Sequence, residues 1–267
     1  MAVLSVDLAF RSWSDLGLAV LDCEAAPGAA DGRARSPIHY ELLEPALLTT
    51  WTGAPALREK VDPLDLANRL HALCLRRDIR MILLDGPQAW KSKLNGLEYS
   101  RVCERALNTS AKTGLPGVVL PGTWTHFVES SIAVFNALTL LGWNRFNTRT
   151  QPGAEPERTL VEIYPFAAWK ELGLKPLPCK RRARISDRIA GLSALQSLLP
   201  LAEGPLPSHD QLQALVGGLA GLALSESDPS GFRILGHPPR REEGHWREGY
   251  IILPLPPHRT PAMRWLE

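Results

Sequence analysis

An α/β fold, a mixed sheet flanked by helices, is predicted for this chain by three observations. Residues 80–90 read R-M-I-L-L-D-G-P-Q-A-W. The apolar run Met81, Ile82, Leu83, Leu84 suits a strand buried on both faces, and Gly86-Pro87 stops it. A second apolar run at residues 2–6 also closes on an acid, Asp7. Between the two lies a helix-period segment opened by Asp62-Pro63, an N-cap followed by proline at the first helical position.

Taken in order, residues 2–7 form the first strand. The short polar and aromatic turn at 10–15 leads to a second strand at 17–21, and so brief a connection favours an antiparallel hairpin. Residues 22–36, rich in Ala, Gly and Arg, read as a flexible loop, and 38–48 supply a third strand broken near Pro45. Leu66, Leu70, Leu73 and Cys74 recur at helical spacing through Arg77, and the central strand 81–84 follows. Residues 97–107 read as a helix, 108–124 as an irregular Gly- and Pro-containing stretch, 127–141 as a helix and 144–158 as a polar loop. Residues 95–158 are therefore expected to be a helical insertion in one domain spanning 1–267, too poor in apolar pattern to hold a core alone. A strand at 159–164 stops at Pro165, and helices are expected at 166–172 and 185–199. A helix from about 209 to 224, rich in Ala, Gly and Leu, promises tight packing on the sheet. Residues 225–247 read as a polar loop, and 250–253 as a last strand before a Pro-rich end.

Bulk properties narrow the function classes. Hydrophobic residues make up 45% and charged residues 22% of 267, ordinary for a chain that buries a proper core. A net charge of +2 demands neither nucleic acid nor an anionic membrane. Cys23, Cys74, Cys103 and Cys179 are scattered with no C-x-x-C pair, which points to reduced thiols rather than to zinc or redox chemistry. No basic-apolar leader opens the chain and no uncharged apolar run is long enough for a bilayer, so a soluble cytoplasmic protein without a membrane partner is expected.

Acids ending the first and fourth strands of such a strand and helix order follow the plan of the ribonuclease H-like fold. The chain carries, in order, V-D-L-A, L-L-D-G-P, R-V-C-E-R, V-E-I-Y-P-F-A-A-W, Lys180, H-D-Q-L-Q-A-L-V-G-G-L-A and E-G-Y-I-I-L-P. In these motifs it resembles, from Asp7 to Pro254, the domain-of-unknown-function family numbered 429, described as predicted nucleases of ribonuclease H-like fold. The resemblance implies a metal-dependent nuclease. In that chemistry Mg²⁺ or Mn²⁺, two ions roughly 3.5–4 Å apart, is held by converging carboxylates and acts on a phosphodiester. It implies Asp7, Asp85, Glu162 and Asp210 as both metal ligands and catalytic residues, and Lys180 as a phosphate contact. Each acid has a plainer reading beside this one: Asp7 and Asp85 as turn or capping residues, Glu162 as a strand acid facing solvent, Asp210 as an N-cap.

The family's helical D-x-x-D-A-L motif departs here at Gln213, a neutral side chain where a carboxylate is usual, so a weakened or lost metal site is one expectation. Glu226, Asp228 and Glu248 are possible replacements. Arg101 and Arg105, at i and i+4 with Glu104 beside them, read either as a phosphate clamp or as a surface ion-pair face. Lys180 with Arg181, Arg182, Arg184 and Arg188 reads either as a grip on a nucleic-acid backbone or as a solvated basic loop. Trp13, Trp90 and Trp124 read as base-stacking platforms or as core. His71 reads as structural, and His126, His209 and His245 lack metal-ligand spacing. Two further functions are weighed. One is a non-catalytic protein on the same scaffold that binds nucleic acid or a protein partner. The other, an actin-like phosphotransferase, needs a Gly-rich hairpin that residues 8–12 do not offer.

Overall fold

The computed structural model describes residues 1–23, 37–52, 60–148, 158–226, 228 and 230–257. Most of the loop expected at 22–36, much of the 144–158 connection and most of the Pro-rich end lie outside them.

The elements in chain order are β1 (Val3–Asp7), β2 (Gly17–Cys23), β3 (Ile38–Leu43), α1 (Leu47–Thr52), α2 (Pro63–Arg76), β4 (Met81–Asp85), α3 (Val102–Leu107), β5 (Lys112–Thr113), β6 (Val119–Leu120), α4 (Thr125–Leu140), β7 (Asn144–Arg145), β8 (Thr159–Ile163), α5 (Pro165–Glu171), α6 (Ile185–Leu198), α7 (His209–Ser225), β9 (Phe232–Glu242) and β10 (His245–Pro254). The main sheet runs β3-β2-β1-β4-β8-β10-β9, with β7 paired to the start of β8. β1, β4, β8 and β10 are parallel, whereas β2 and β3 form an antiparallel meander with β1, and β9 is antiparallel to β10. The five strands β3-β2-β1-β4-β8, with β2 reversed, make the ribonuclease H-like mixed sheet that the sequence predicts. Among the described residues no helix is long and apolar enough to cross a membrane.

Two helical layers cover this sheet. α2 and α4 pack on each other over one face, burying Leu4, Val6, Ile82, Leu84, Leu160, Leu70, Phe135 and Leu138. α7, backed by α5 and α6, covers the other face over Val3, Leu83, Val161 and Ile163. The glycines of α7 explain its close approach. A Cβ at Gly217 would meet Ile163, at Gly218 Leu21 and Ser5, and at Gly221 Leu83, each nearest atom within 2.4 Å.

Within residues 95–158, α4 packs on α2 in one helical layer and β7 joins the main sheet. The expected helix at 97–107 shrinks to Val102–Leu107. Its first turns are unwound because their polar groups are held elsewhere: the Lys91 ammonium bonds the Leu97 carbonyl at 2.8 Å, and the Asn95 amide bonds the Ser100 carbonyl at 3.0 Å. The irregular stretch 108–124 contains the β5–β6 hairpin. The expected polar loop at 225–247 is largely β9 and the start of β10, a long hairpin with a bulge between Arg247 and Gly249.

Candidate active site

Register alone brings two of the expected acids together. Asp7 is the direct cross-strand partner of Asp85 in the parallel β1–β4 ladder, so the two carboxyls leave neighbouring strand ends on the same face. Asp85 also pairs with Ile163, whose side chain packs under Gly217, so that face is the one α7 covers. The carboxyl edge of a sheet at this kind of position is where open α/β folds place ligands.

The third acid comes from the start of α7. Ser208, not Asp210, is the N-cap: its hydroxyl accepts from the Gln211 amide, and the Gln211 side chain returns the bond to the Ser208 amide at 2.8 Å. This capping box leaves the Asp210 carboxylate free of capping duty. It accepts from Lys180 Nζ, which also bonds Asp15 at 2.6 Å, and lies 3.0 Å from His209 Nδ1. Gly17, the partner of Asp7 in β2, has room for no Cβ because the Asp210 backbone lies against it. Asp7, Asp85, Asp210, Asp15 and Lys180 therefore share one end of the sheet.

The electrostatics follow from crowding acids at a half-buried edge. Burial pushes Asp7 well above the usual carboxylate range, and the charges of Asp85 and Asp210 push it further, while Lys180 pulls it back. Burial raises Asp85 to about 7, against a hydrogen bond from Asp7, and the charge of Glu162 adds to the rise. Both carboxyls are therefore harder to ionise than a free aspartate, Asp7 by burial and by its acidic neighbours, Asp85 chiefly by burial. Burial also raises Tyr164, whose phenol bonds Ser110 and feels the Asp85 charge.

Glu162 does not join this group. It pairs with Leu84, one step before Asp85, so pleat alternation turns it to the opposite face. There it is 2% exposed and fully engaged. Arg101 Nη1 and Nη2 donate to its two oxygens at 2.7 and 2.6 Å, and the Gln88 amide adds a third bond at 2.9 Å. Burial raises Glu162 while Arg101 pulls it down. The plainer expectation, a solvent-facing acid, fails too: this is a buried ion pair. Arg101 also bonds Glu104 at 2.9 and 3.0 Å, so its guanidinium is not presented to a phosphate. Arg105 is exposed on the outside of α3, so no two-arginine clamp forms.

Gln213 sits away from the acids, accepting from the Trp169 indole at 2.8 Å. That bond occupies the Gln213 side-chain oxygen with Trp169 rather than with Asp7, Asp85 or Asp210. Glu248 offers no replacement, being buried and bonded by the amides of Ser92 and Val102 and the side chain of Asn95. Glu226 and Asp228 line a cavity of about 180 Å³ with Cys23 at the far end of β2. Trp13 and Trp90 are core, Trp124 is exposed, and His71 accepts the Trp143 indole bond at 3.0 Å, a structural role as expected. Asp15 and His209 carried no usable signal in sequence; a short 3-10 turn at Trp13–Asp15 and the α7 capping box place them.

Among the described residues no three His, Cys, Asp or Glu side chains form a ready metal-ligand group. The pair Asp7–Asp85 nonetheless fits a hard cation of the Mg²⁺ kind, which binds through one or two carboxylates and keeps its waters and substrate oxygens as remaining ligands. The two carboxyls raise each other's cost of ionising, a cost that a cation between them would offset.

No family model matches the chain, and no curated protein matches it. Two solved structures of RuvC from Thermus thermophilus match 85% of this chain and 98% of their own. The first does so at 14% identity with a TM-score of 0.37. The second, in complex with Holliday junction substrate, does so at 15% identity with a TM-score of 0.35. The strand order, rather than these overlaps, defines the fold.

Proposed function

We propose that this chain is a metal-dependent phosphodiesterase acting on nucleic acid, built on the plan of the family numbered 429 and using Mg²⁺ or Mn²⁺. The observation that carries this reading is the register pairing of Asp7 with Asp85 at the carboxyl edge, with both pKa values raised by burial and by crowded acids. Asp7 and Asp85 would hold one cation, and Asp210 would complete the set once Lys180 releases it. A bound ion would neutralise phosphate charge and make water acidic enough to attack. Lys180, 47% exposed and already at the acids, has the reach to exchange Asp15 or Asp210 for a phosphate oxygen. Glu162 takes a supporting role: tied to the Gln88 amide, it fixes the turn that follows Asp85.

Titration with Mn²⁺ by calorimetry tests the reading. Wild type should bind and Asp7→Asn should not, after which a panel of DNA and RNA substrates should reveal hydrolysis. Absence of binding at millimolar Mn²⁺ would overturn it. One observation favours the non-catalytic alternative: Arg101 and Lys180 already neutralise Glu162 and Asp210. Nucleic acid that binds without any Mn²⁺ affinity would decide for that alternative.

A further inference from the structure

Beside the two aspartates lies a group of aromatic rings that the hydrolytic reading does not use. Phe10 follows Asp7 by three positions, and Phe127, in the first turn of α4, lies against Gly86, the residue after Asp85. A Cβ on Gly86 would come within 3.1 Å of the Phe127 ring. The ring centroids of Phe10 and Phe127 are 6.0 Å apart, and those of Phe127 and Trp124 are 5.8 Å apart, both edge to face. Such contacts fix the rings without covering all their faces. Trp124 remains 39% exposed, and neighbouring Leu120 is 41% exposed. The shelf is held firmly. Trp124 closes a 3-10 turn whose amide bonds the Pro121 carbonyl, anchored on the β5–β6 hairpin. The Arg11 guanidinium lies 5.1 Å from the centre of the Phe10 ring.

The opposite side of the same edge is basic. Lys180 reaches the acids there, and Arg181, Arg182 and Arg184 are exposed just beyond it. The carboxylates thus sit between a cationic segment and an aromatic shelf with an arginine at its rim. A duplex offers only phosphates and groove edges to such a surface, because each base face is already stacked. A single strand offers backbone charge on one side and free base faces on the other, which this division of chemistry matches.

We propose that the substrate taken by this site is unpaired nucleic acid, its backbone along the Lys180–Arg184 segment and its bases stacked on Phe10, Phe127 and Trp124. This deepens the nuclease reading and rests on it for the place of the scissile phosphate.

The test is fluorescence anisotropy in Ca²⁺ buffer with labelled oligothymidylate, oligouridylate and a blunt duplex of the same length. The proteins are wild type, Trp124→Ala and Phe127→Leu, with the fold of each checked by circular dichroism. Wild type should prefer the single strands, and Trp124→Ala should weaken them about tenfold, as expected for the loss of one stacking platform. Duplex binding and Mn²⁺ affinity should not change in either variant, since no ring offers a metal ligand. Equal affinity for duplex and single strand, or single-strand affinity unaffected by both substitutions, would overturn the proposal. Shelf-dependent single-strand binding in a protein that takes up no Mn²⁺ would sustain the shelf while the nuclease reading falls.

Discussion

At the scale of single residues, the paired aspartates make the sharpest prediction. The folded-state pKa of Asp85, about 7, lies above its ordinary value of 3.8, and Asp7 is displaced in the same direction. A carboxyl raised by folding leaves stability intact below its unfolded pKa and removes it as pH climbs toward the folded one. In chelator, wild type should therefore lose stability between about pH 4 and 7, each raised carboxyl removing up to ~1.4 kcal/mol as the pH climbs by one. Asp85→Asn should flatten that slope and be the more stable protein at pH 8, by roughly 2 kcal/mol, in urea unfolding. The ion pair on the other face behaves oppositely. Arg101→Met strands Glu162 and Glu104 without their cation and should cost ~3–5 kcal/mol. Gln213→Asp should leave Mn²⁺ affinity where it was and only weaken the Trp169 contact. Asp7 and Asp85 were legible in the sequence because each closes an apolar run. Glu162 was also legible as a residue turned away from Val161 and Ile163. Its partner was not: nothing in the spacing of Arg101 and Glu162 shows that β8 and the start of α3 meet.

At the scale of elements, α7 is governed by close approach rather than by helix propensity. Alanine is about 1 kcal/mol better than glycine inside an exposed helix. At Gly221 the added methyl would meet three atoms of Leu83, at 2.3, 2.5 and 2.8 Å, deep under the sheet. Gly221→Ala should therefore destabilise by ~1–3 kcal/mol, overpacking outweighing propensity, as a lower midpoint in thermal unfolding. The small-residue composition of this helix announced such packing, and the Asp62-Pro63 signal placed the start of α2, where the Asp62 side chain does accept from the Asp65 amide at 2.9 Å. Strand β9 carries no strand signal in the sequence for a physical reason. Pro238, Pro239 and the charges from Arg240 to Glu243 remove the apolar alternation from an edge strand that solvent bathes, and that alternation is the signal by which strands are read. Helix α3 is shorter than the expected 97–107 because the residues before Val102 have their polar groups bonded elsewhere.

At the scale of the whole molecule, the site is a clasp between strands that the fold brings together from distant parts of the chain. Asp7 and Asp85 are 78 positions apart, counted from 7 to 85, and Asp210 arrives from the far end of the sequence. The strand order that joins β1 to β4 was legible from two acid-tipped apolar runs with one helix between them, while the meeting of Asp210 with Gly17 depends on tertiary packing alone. A cation held by Asp7 and Asp85 binds the folded chain and finds no such pair in the unfolded one, so binding must raise the stability of the entire domain. At a Mn²⁺ concentration one hundred times Kd the gain is ~2.7 kcal/mol. For a domain of this size that is a rise in Tm of roughly 5–10 °C. The increment should be larger at pH 8 than at pH 5, because at the lower pH the ion must compete with protons for Asp7 and Asp85. Asp7→Asn should abolish the increment at both pH values while the substituted protein itself unfolds no earlier than wild type in chelator. A Mn²⁺-dependent rise in Tm that survives Asp7→Asn would place the ion elsewhere and remove the paired aspartates from the chemistry proposed for this fold.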